Sequence, residues 1–221
     1  MRSLPALGLA AALLVPPVAS AQRQPRLWNE NAELVVAVRE GDRASALALL
    51  ARGANPNSRN RLGDTPINTA ARAGDLPLVE ALLERGADPN RANLAGVTPL
   101  MSAAHSGSVE VVRALLAARA DPAPVDRTGK TAAVYAAGQG RTAALSALLD
   151  AGVALNAANG NDLTLLMWAA GQGHVETVKM LLARGADPRP RDDRGKTALR
   201  IATEADHPDV AAVLGAAGSG E

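Results

Sequence analysis

Residues 65–97 read TPINTAARAGDLPLVEALLERGADPNRANLAGV. Thr65 is a good N-cap, and Pro66 is tolerated at the first position of a helix, where no intrahelical N–H is needed. The segment 68–73 is short and ends at Gly74, where the chain can turn through positive φ. A second helix is expected from about residue 76 to 85, with Leu78, Val79, Leu82 and Leu83 at helical spacing. Gly86 stops it, and Asp88-Pro89-Asn90 opens a polar, turn-rich loop that runs to Gly96. Helices this short are marginal in water, and neither can bury its apolar face alone. The unit therefore needs neighbours.

The chain supplies them. Thr65, Thr98, Thr131, Thr164 and Thr197 stand 33 residues apart. Gly41, Gly74, Gly107, Gly140 and Gly173 keep the same step, as do Gly53, Gly86, Gly152, Gly185 and Gly218. The leucine pairs beginning at Leu49, Leu82, Leu115, Leu148 and Leu181 follow too. Independent series with one period define an array of stacked units. The pairs Ala70-Ala71, Ala103-Ala104, Ala136-Ala137 and Ala169-Ala170 fall where first helices must touch, and their small side chains permit close approach.

These residues resemble the ankyrin repeat. Thr98-Pro99-Leu100 followed by Ala103-Ala104 is similar to that family's T-P-L-H-x-A-A core. Gly173-His174-Val175-Glu176 is similar to its G-H-x-E opening of the second helix, and Gly185-Ala186-Asp187-Pro188 to its G-A-D-x-N loop. The resemblance spans about residues 30–218 and implies an all-α ankyrin-repeat solenoid of about six 33-residue units with projecting hairpin-like loops. A polar first unit (29–60) and a degraded last unit (193–218) serve as the caps a solenoid needs. Several positions depart from the pattern. Arg119 stands where sister units have Gly, Asp162 stands where Gly63, Gly96, Gly129 and Gly195 stand, and residues 131–134 lack both Pro and Leu. The fourth unit is the least regular.

Composition narrows the function classes. Among 221 residues there is no Phe, one Tyr (Tyr135), two Trp (Trp28 and Trp168) and no Cys. Without Cys there are no disulfides, thiolate metal sites or cysteine nucleophiles. Residues 1–21 read as a secretory signal: Arg2, an apolar run from Leu4 to Val18, and the small-x-small site Ala19-Ser20-Ala21, with cleavage between Ala21 and Gln22. The run is short and carries Pro5, Pro16 and Pro17, so a membrane anchor after processing is not expected. Residues 22–29 form a linker and 219–221 a tail. Removing Arg2 leaves equal numbers of basic and acidic residues, against a nucleic-acid binder working by bulk charge. The excess of Arg over Lys and the abundance of Ala suggest a GC-rich bacterial genome, so the expected location is the periplasm or outside the cell.

Chemistry is sparse. His174 and His207 are 33 apart, one slot in successive units, and read as helix-start residues rather than metal ligands; His105 is expected at an exposed turn. Asp126, Asp192 and Asp193 fall in loops with no sign of burial. A catalytic carboxylate pair needs one acid raised in an apolar pocket. Gly138-Gln139-Gly140 and Gly171-Gln172-Gly173 look like fragments of phosphate loops, but the period makes them inter-helix turns. No cofactor, metal or enzymatic activity is expected.

What remains is surface. The resemblance implies a groove formed by first helices and loops that binds other proteins. The groove residues are the turn positions Arg72, His105, Gln139 and Gln172, the loop positions Arg127, Lys130 and Leu163, and Tyr135 and Trp168, which share one slot in adjacent units. These two rings would form one apolar patch flanked by the others. As groove residues they would anchor a partner, since aromatics dominate interface energetics; the alternative reading packs them in the core. The expectation is a non-enzymatic scaffold, a monomer by itself, that binds a protein, in a narrower version as the immunity or protective partner of one periplasmic enzyme. Arg61, Arg127, Lys130, Arg194 and Lys196 along the loops keep open an alternative as a ligand- or polyanion-binding module.

Overall fold

The computed structural model describes residues 27–218. The signal segment 1–21, most of the linker and the tail 219–221 lie outside the described residues. Within them, twelve helices pair into six helix–turn–helix units, and no strand forms. The pairs are α1 (Leu27–Glu40) with α2 (Arg43–Ala51), α3 (Pro66–Ala73) with α4 (Leu76–Glu84), and α5 (Pro99–Ser106) with α6 (Val109–Ala117). They continue as α7 (Ala132–Gly138) with α8 (Thr142–Asp150), α9 (Leu165–Gly171) with α10 (Val175–Ala183), and α11 (Ala198–Glu204) with α12 (Pro208–Gly218). Odd-numbered helices stack on odd, and even on even. The first helix already begins at Leu27, before the expected boundary at residue 30.

The residue types explain the boundaries. Thr65, Thr98, Thr131, Thr164 and Thr197 are extended N-caps, and each hydroxyl accepts the N–H three residues on. Gly74, Gly107, Gly140 and Gly173 all have positive φ. They also admit the next unit: a Cβ on Gly140 would stand 2.7 Å from His174 Nδ1, and one on Gly173 would stand 2.8 Å from His207 Nδ1. Those histidines begin α10 and α12, as expected, and their Nε2 atoms reach the carbonyls of Gly138 (3.0 Å) and Gly171 (3.2 Å). Asp206 takes the same slot in the last unit at φ 58°. Among the described residues no further unit stacks on it, and the backbone requirement is what remains there.

The core runs the length of the array. Leu82, Leu115, Leu148 and Leu181, one slot in four units, are fully buried, and so are the alanine pairs between first helices. Burying one such leucine is worth roughly 1.5–3 kcal/mol, and the alanines add little area but let the helices approach.

Between units the chain makes five projecting tips, at residues 60–64, 93–97, 126–130, 159–163 and 192–196. In each, the first N–H donates to the fifth carbonyl at 2.9–3.0 Å. Asn60, Asn93, Asp126 and Asp192 also accept, through Oδ1, the third and fifth N–H of their own tip. Neighbouring tips are joined by Leu94 N–H to Leu62 C=O, Arg127 N–H to Ala95 C=O, and Asp193 N–H to Asn161 C=O. Among the described residues, the equivalent bond between the third and fourth tips is not made. The fourth tip is a short 3-10 turn, with Asn161 and Asp162 at φ 63° and 57°.

A cation held between two aromatic rings on the first-helix face

The third tip sets the geometry of the candidate site. Asp126 Oδ1 accepts Thr128 N–H and Thr128 Oγ1 (both 2.8 Å) and Lys130 N–H (3.0 Å). Its other oxygen accepts the Tyr135 hydroxyl at 2.6 Å. Tyr135 projects from α7 and Trp168 from α9, one slot apart in successive units. The Lys130 ammonium lies 5.8 Å from the Tyr135 ring centre and 5.2 Å from that of Trp168. His105, at the end of α5, meets Tyr135 edge to face at 5.7 Å. Cation–π contacts of this kind are worth about 0.5–2 kcal/mol according to their desolvation.

Trp168 packs over Gly138: a Cβ there would stand at ordinary contact distance, 3.6 Å, from its Cε3, so only a longer side chain, as in the sister units, would meet the ring. Gly138 and Gly171 take the slot that Arg72, His105 and Glu204 fill in other units. Sequence reasoning missed this, although a glycine thirty residues before the tryptophan was the available signal. Gln139 and Gln172, read as sharing the turn slot with Arg72 and His105, sit one residue further on as the C-caps of α7 and α9.

Two adjoining hollows meet at Tyr135. One, of about 240 Å³, is lined by Arg72, His105 and Tyr135 together with Asn93, Val97, Met101 and Ser102. The other, of about 120 Å³, is lined by Lys130, Tyr135, Gln139, Trp168 and Gln172 with Val134 and Gly138. Seven of the nine residues picked out from the sequence are thus brought together. Arg127 is exposed and Leu163 is half-buried against the core; neither lines these hollows. Asn93 and Met101 were not among the sequence candidates. Asn93 donates to Asp64 Oδ1 at 2.7 Å, and Arg72 reaches the same oxygen at 3.3 Å.

Two expectations are corrected. The rings do not form one apolar patch, because Lys130 lies between them, held there by the closure of its own tip. Asp126 and Asp192 are not open loop carboxylates; only 7% and 5% of their surface is exposed. Burial alone would raise both acids. Hydrogen bonds outweigh it, from Tyr135, Lys130 and Thr128 at Asp126 and from Lys196 and Arg194 at Asp192, and hold both carboxyls below the usual range. Tyr135 moves the other way, pushed up to about 12 by burial and then by the hydrogen bond and charge of Asp126. A carboxylate held ionised and a phenol held neutral are a structural pair, not the raised acid that general acid catalysis needs.

Tyr135 and Trp168 stand between the two readings of their slot. Both are half-buried against the core, and both also line a hollow. The Trp168 Nε1 and Ser102 Oγ are buried and, among the described residues, have no hydrogen-bond partner. Trp168 therefore does not use its polar atom to hold the fold.

Comparison with known proteins agrees with the architecture. A family model described as ankyrin repeats (3 copies) matches residues 34–126, 118–192 and 134–219. The chain is similar to the crystal structure of the human ASB11 ankyrin repeat domain, with a TM-score of 0.78 and 27% identity, over 84% of this chain and 83% of that one. No curated protein matches the sequence.

Proposed function

We propose that this chain, which belongs to the ankyrin-repeat family, is an exported, non-enzymatic scaffold that binds a protein partner across its third to fifth units. Ankyrin repeats are generally protein-binding scaffolds, and what the chain adds is a place. The observation that carries the reading is the Tyr135–Lys130–Trp168 stack, which lines one hollow and meets the second at Tyr135. Half-buried aromatics that line hollows, with a cation over them, suit an interface anchor. In the narrower form of the proposal the partner is a periplasmic enzyme that the scaffold protects or restrains. Among the described residues no helix is long and apolar enough to cross a membrane.

Three of the five basic loop residues behind the polyanion reading are already engaged, and Arg61 and Arg127 are the exposed ones left to it. Arg194 is paired with Asp192 at 2.6 Å, Lys196 with Glu204, and Lys130 lies over rings. A crosslinked pull-down from the native compartment identifies the partner. Its affinity is then measured for Tyr135→Ala and Trp168→Ala alongside their urea midpoints. Loss of about 2 kcal/mol of binding, roughly thirtyfold, at a nearly unchanged midpoint is expected for an anchor. Unchanged affinity with a collapsed midpoint would make the two rings core residues and place the interface elsewhere. Mass spectrometry of the native protein tests export: the N-terminus is expected at Gln22, and an intact Met1 in a soluble cytosolic fraction would refute it.

A further inference from the structure

A second recognition element lies on the loop side, between the third and fourth units. At three of the five joints one asparagine slot clamps a unit to the next; between the fifth and sixth units the slot holds Arg189 instead. Asn57 donates from Nδ2 to the Gly86 carbonyl at 2.8 Å and accepts, through Oδ1, the Asp88 N–H at 2.8 Å. Asn90 does the same with the Arg119 carbonyl (3.2 Å) and the Asp121 N–H (2.7 Å). Asn156 repeats it with the Gly185 carbonyl (3.5 Å) and the Asp187 N–H (3.0 Å). A carboxamide is the group this socket fits, because one planar unit carries a donor and an acceptor side by side.

The 33-residue step puts Ala123 in the slot between Asn90 and Asn156. Its methyl makes neither bond. The corresponding backbone pair, the Gly152 carbonyl and the Ala154 N–H, belongs to exposed residues and has no hydrogen-bond partner among the described residues. A cavity of about 290 Å³ opens at this point, lined by Ala123, Gly152 and Ala154 and by the apolar groups of Pro122, Val153 and Leu165. The missing bond between the third and fourth tips lies at the same boundary. A dry cavity of about 150 Å³ already holds benzene, so this one has room for an amide and several apolar carbons.

We infer that this cleft binds a glutamine or asparagine side chain from an extended, apolar segment of a partner polypeptide, with the carboxamide taking the place that asparagine has in the sister units. A polypeptide is the source because the sister sockets are filled by a side chain from an extended loop. The cleft shares no residue with the Tyr135–Trp168 site, so the inference stands apart from that reading. A carboxylate in the same position would lack the donor and oppose the Gly152 carbonyl, leaving it unpaired.

The ¹⁵N-labelled protein is titrated with the peptide acetyl-Leu-Gln-Val-N-methylamide and with its Glu counterpart, following backbone amide shifts. The Gln peptide is expected to move the Ala154 N–H saturably, with the Glu peptide at least tenfold weaker. In Ala123→Asn the Ala154 amide is expected to start near the shifts of Asp88 and Asp121, showing the socket filled from within, and the response to the Gln peptide to disappear. Equal binding of the two peptides, or unchanged binding of the Gln peptide to Ala123→Asn, would overturn the inference. Propionamide binding as tightly as the peptide would overturn the polypeptide as its source.

Discussion

Among the described residues four that are not glycine have positive φ, and they are not equivalent. Asn161, Asp162 and Asp206 are types that tolerate the left-handed region; Arg119, at φ 64°, is not. Its sisters Gly53, Gly86, Gly152 and Gly185 hold φ of 82–94° with open space where a Cβ would stand. Arg119 therefore carries a conformational cost of about 1 kcal/mol. Arg119→Gly should raise the urea midpoint by the equivalent of up to about 1 kcal/mol, less a few tenths for the freer unfolded chain; a lowered midpoint would mean that the arginine side chain holds the turn. Tyr135 offers a second test at this scale, because it is the only tyrosine in the chain. Its folded pKa is raised, so its neutral form stabilises the fold fully below its ordinary value near 10, and that contribution is lost as pH rises toward about 12. Tyrosinate absorbance should show one transition near 12 in the folded protein and near 10 in urea. Asp126→Asn should bring the folded value down, and a folded transition already near 10 would show that the hydroxyl is not held by Asp126.

At the scale of the element, the helices were legible because each boundary is written in residue type. Threonine before five first helices, glycine after five and paired leucines in five second helices overlap to fix six units, and the structure shows all six among the described residues. The slot argument also placed Tyr135 and Trp168 on neighbouring helices. It could not place Lys130 between their rings, because that depends on how the tip folds back on Asp126, and periodicity says nothing of side-chain direction in a loop. For the same reason the burial of Asp126 and Asp192 escaped it: a polar residue in a turn reads as solvated until the N–H groups that surround it are seen. The asparagine clamps were equally hidden, since their partners lie about thirty residues away. Asn90 is the clean test of a clamp, joining the Arg119 carbonyl and the Asp121 N–H. Each bond is worth about 0.5–1.5 kcal/mol net, so Asn90→Ala should lower stability by about 1–3 kcal/mol in urea unfolding. An unchanged midpoint would show that water replaces both bonds at no cost.

The whole molecule is a line of units, and its stability is approximately a sum of unit terms and nearest-neighbour terms. A weak internal joint can therefore be located by asking which neighbour term lacks parts. Helix packing continues at every step, α5 on α7 and α6 on α8 included. Between the third and fourth units, however, the asparagine clamp is gone at Ala123 and the tips are not bonded to each other. What crosses there instead is the Arg141 Nε–H to His105 carbonyl bond at 3.1 Å, the edge-to-face contact of His105 with Tyr135, and the Tyr135 hydroxyl bond to Asp126 of the third tip at 2.6 Å. Two clamp bonds and one tip bond absent, at about 0.5–1.5 kcal/mol each, amount to about 1.5–4.5 kcal/mol relative to the joints on either side, of which the Tyr135–Asp126 bond restores only a part. Local opening follows such differences. Native-state hydrogen exchange in low urea should then resolve two cooperative blocks, α1–α6 and α7–α12, with the division between α6 and α7. Ala123→Asn restores a clamp without touching either block's core, so it should raise the lower opening energy and draw the two together. A single opening energy shared by α3 through α10 in the unaltered protein, or a division at any other joint, would show that helix packing alone governs the coupling and that the loop-side bonds contribute nothing to it.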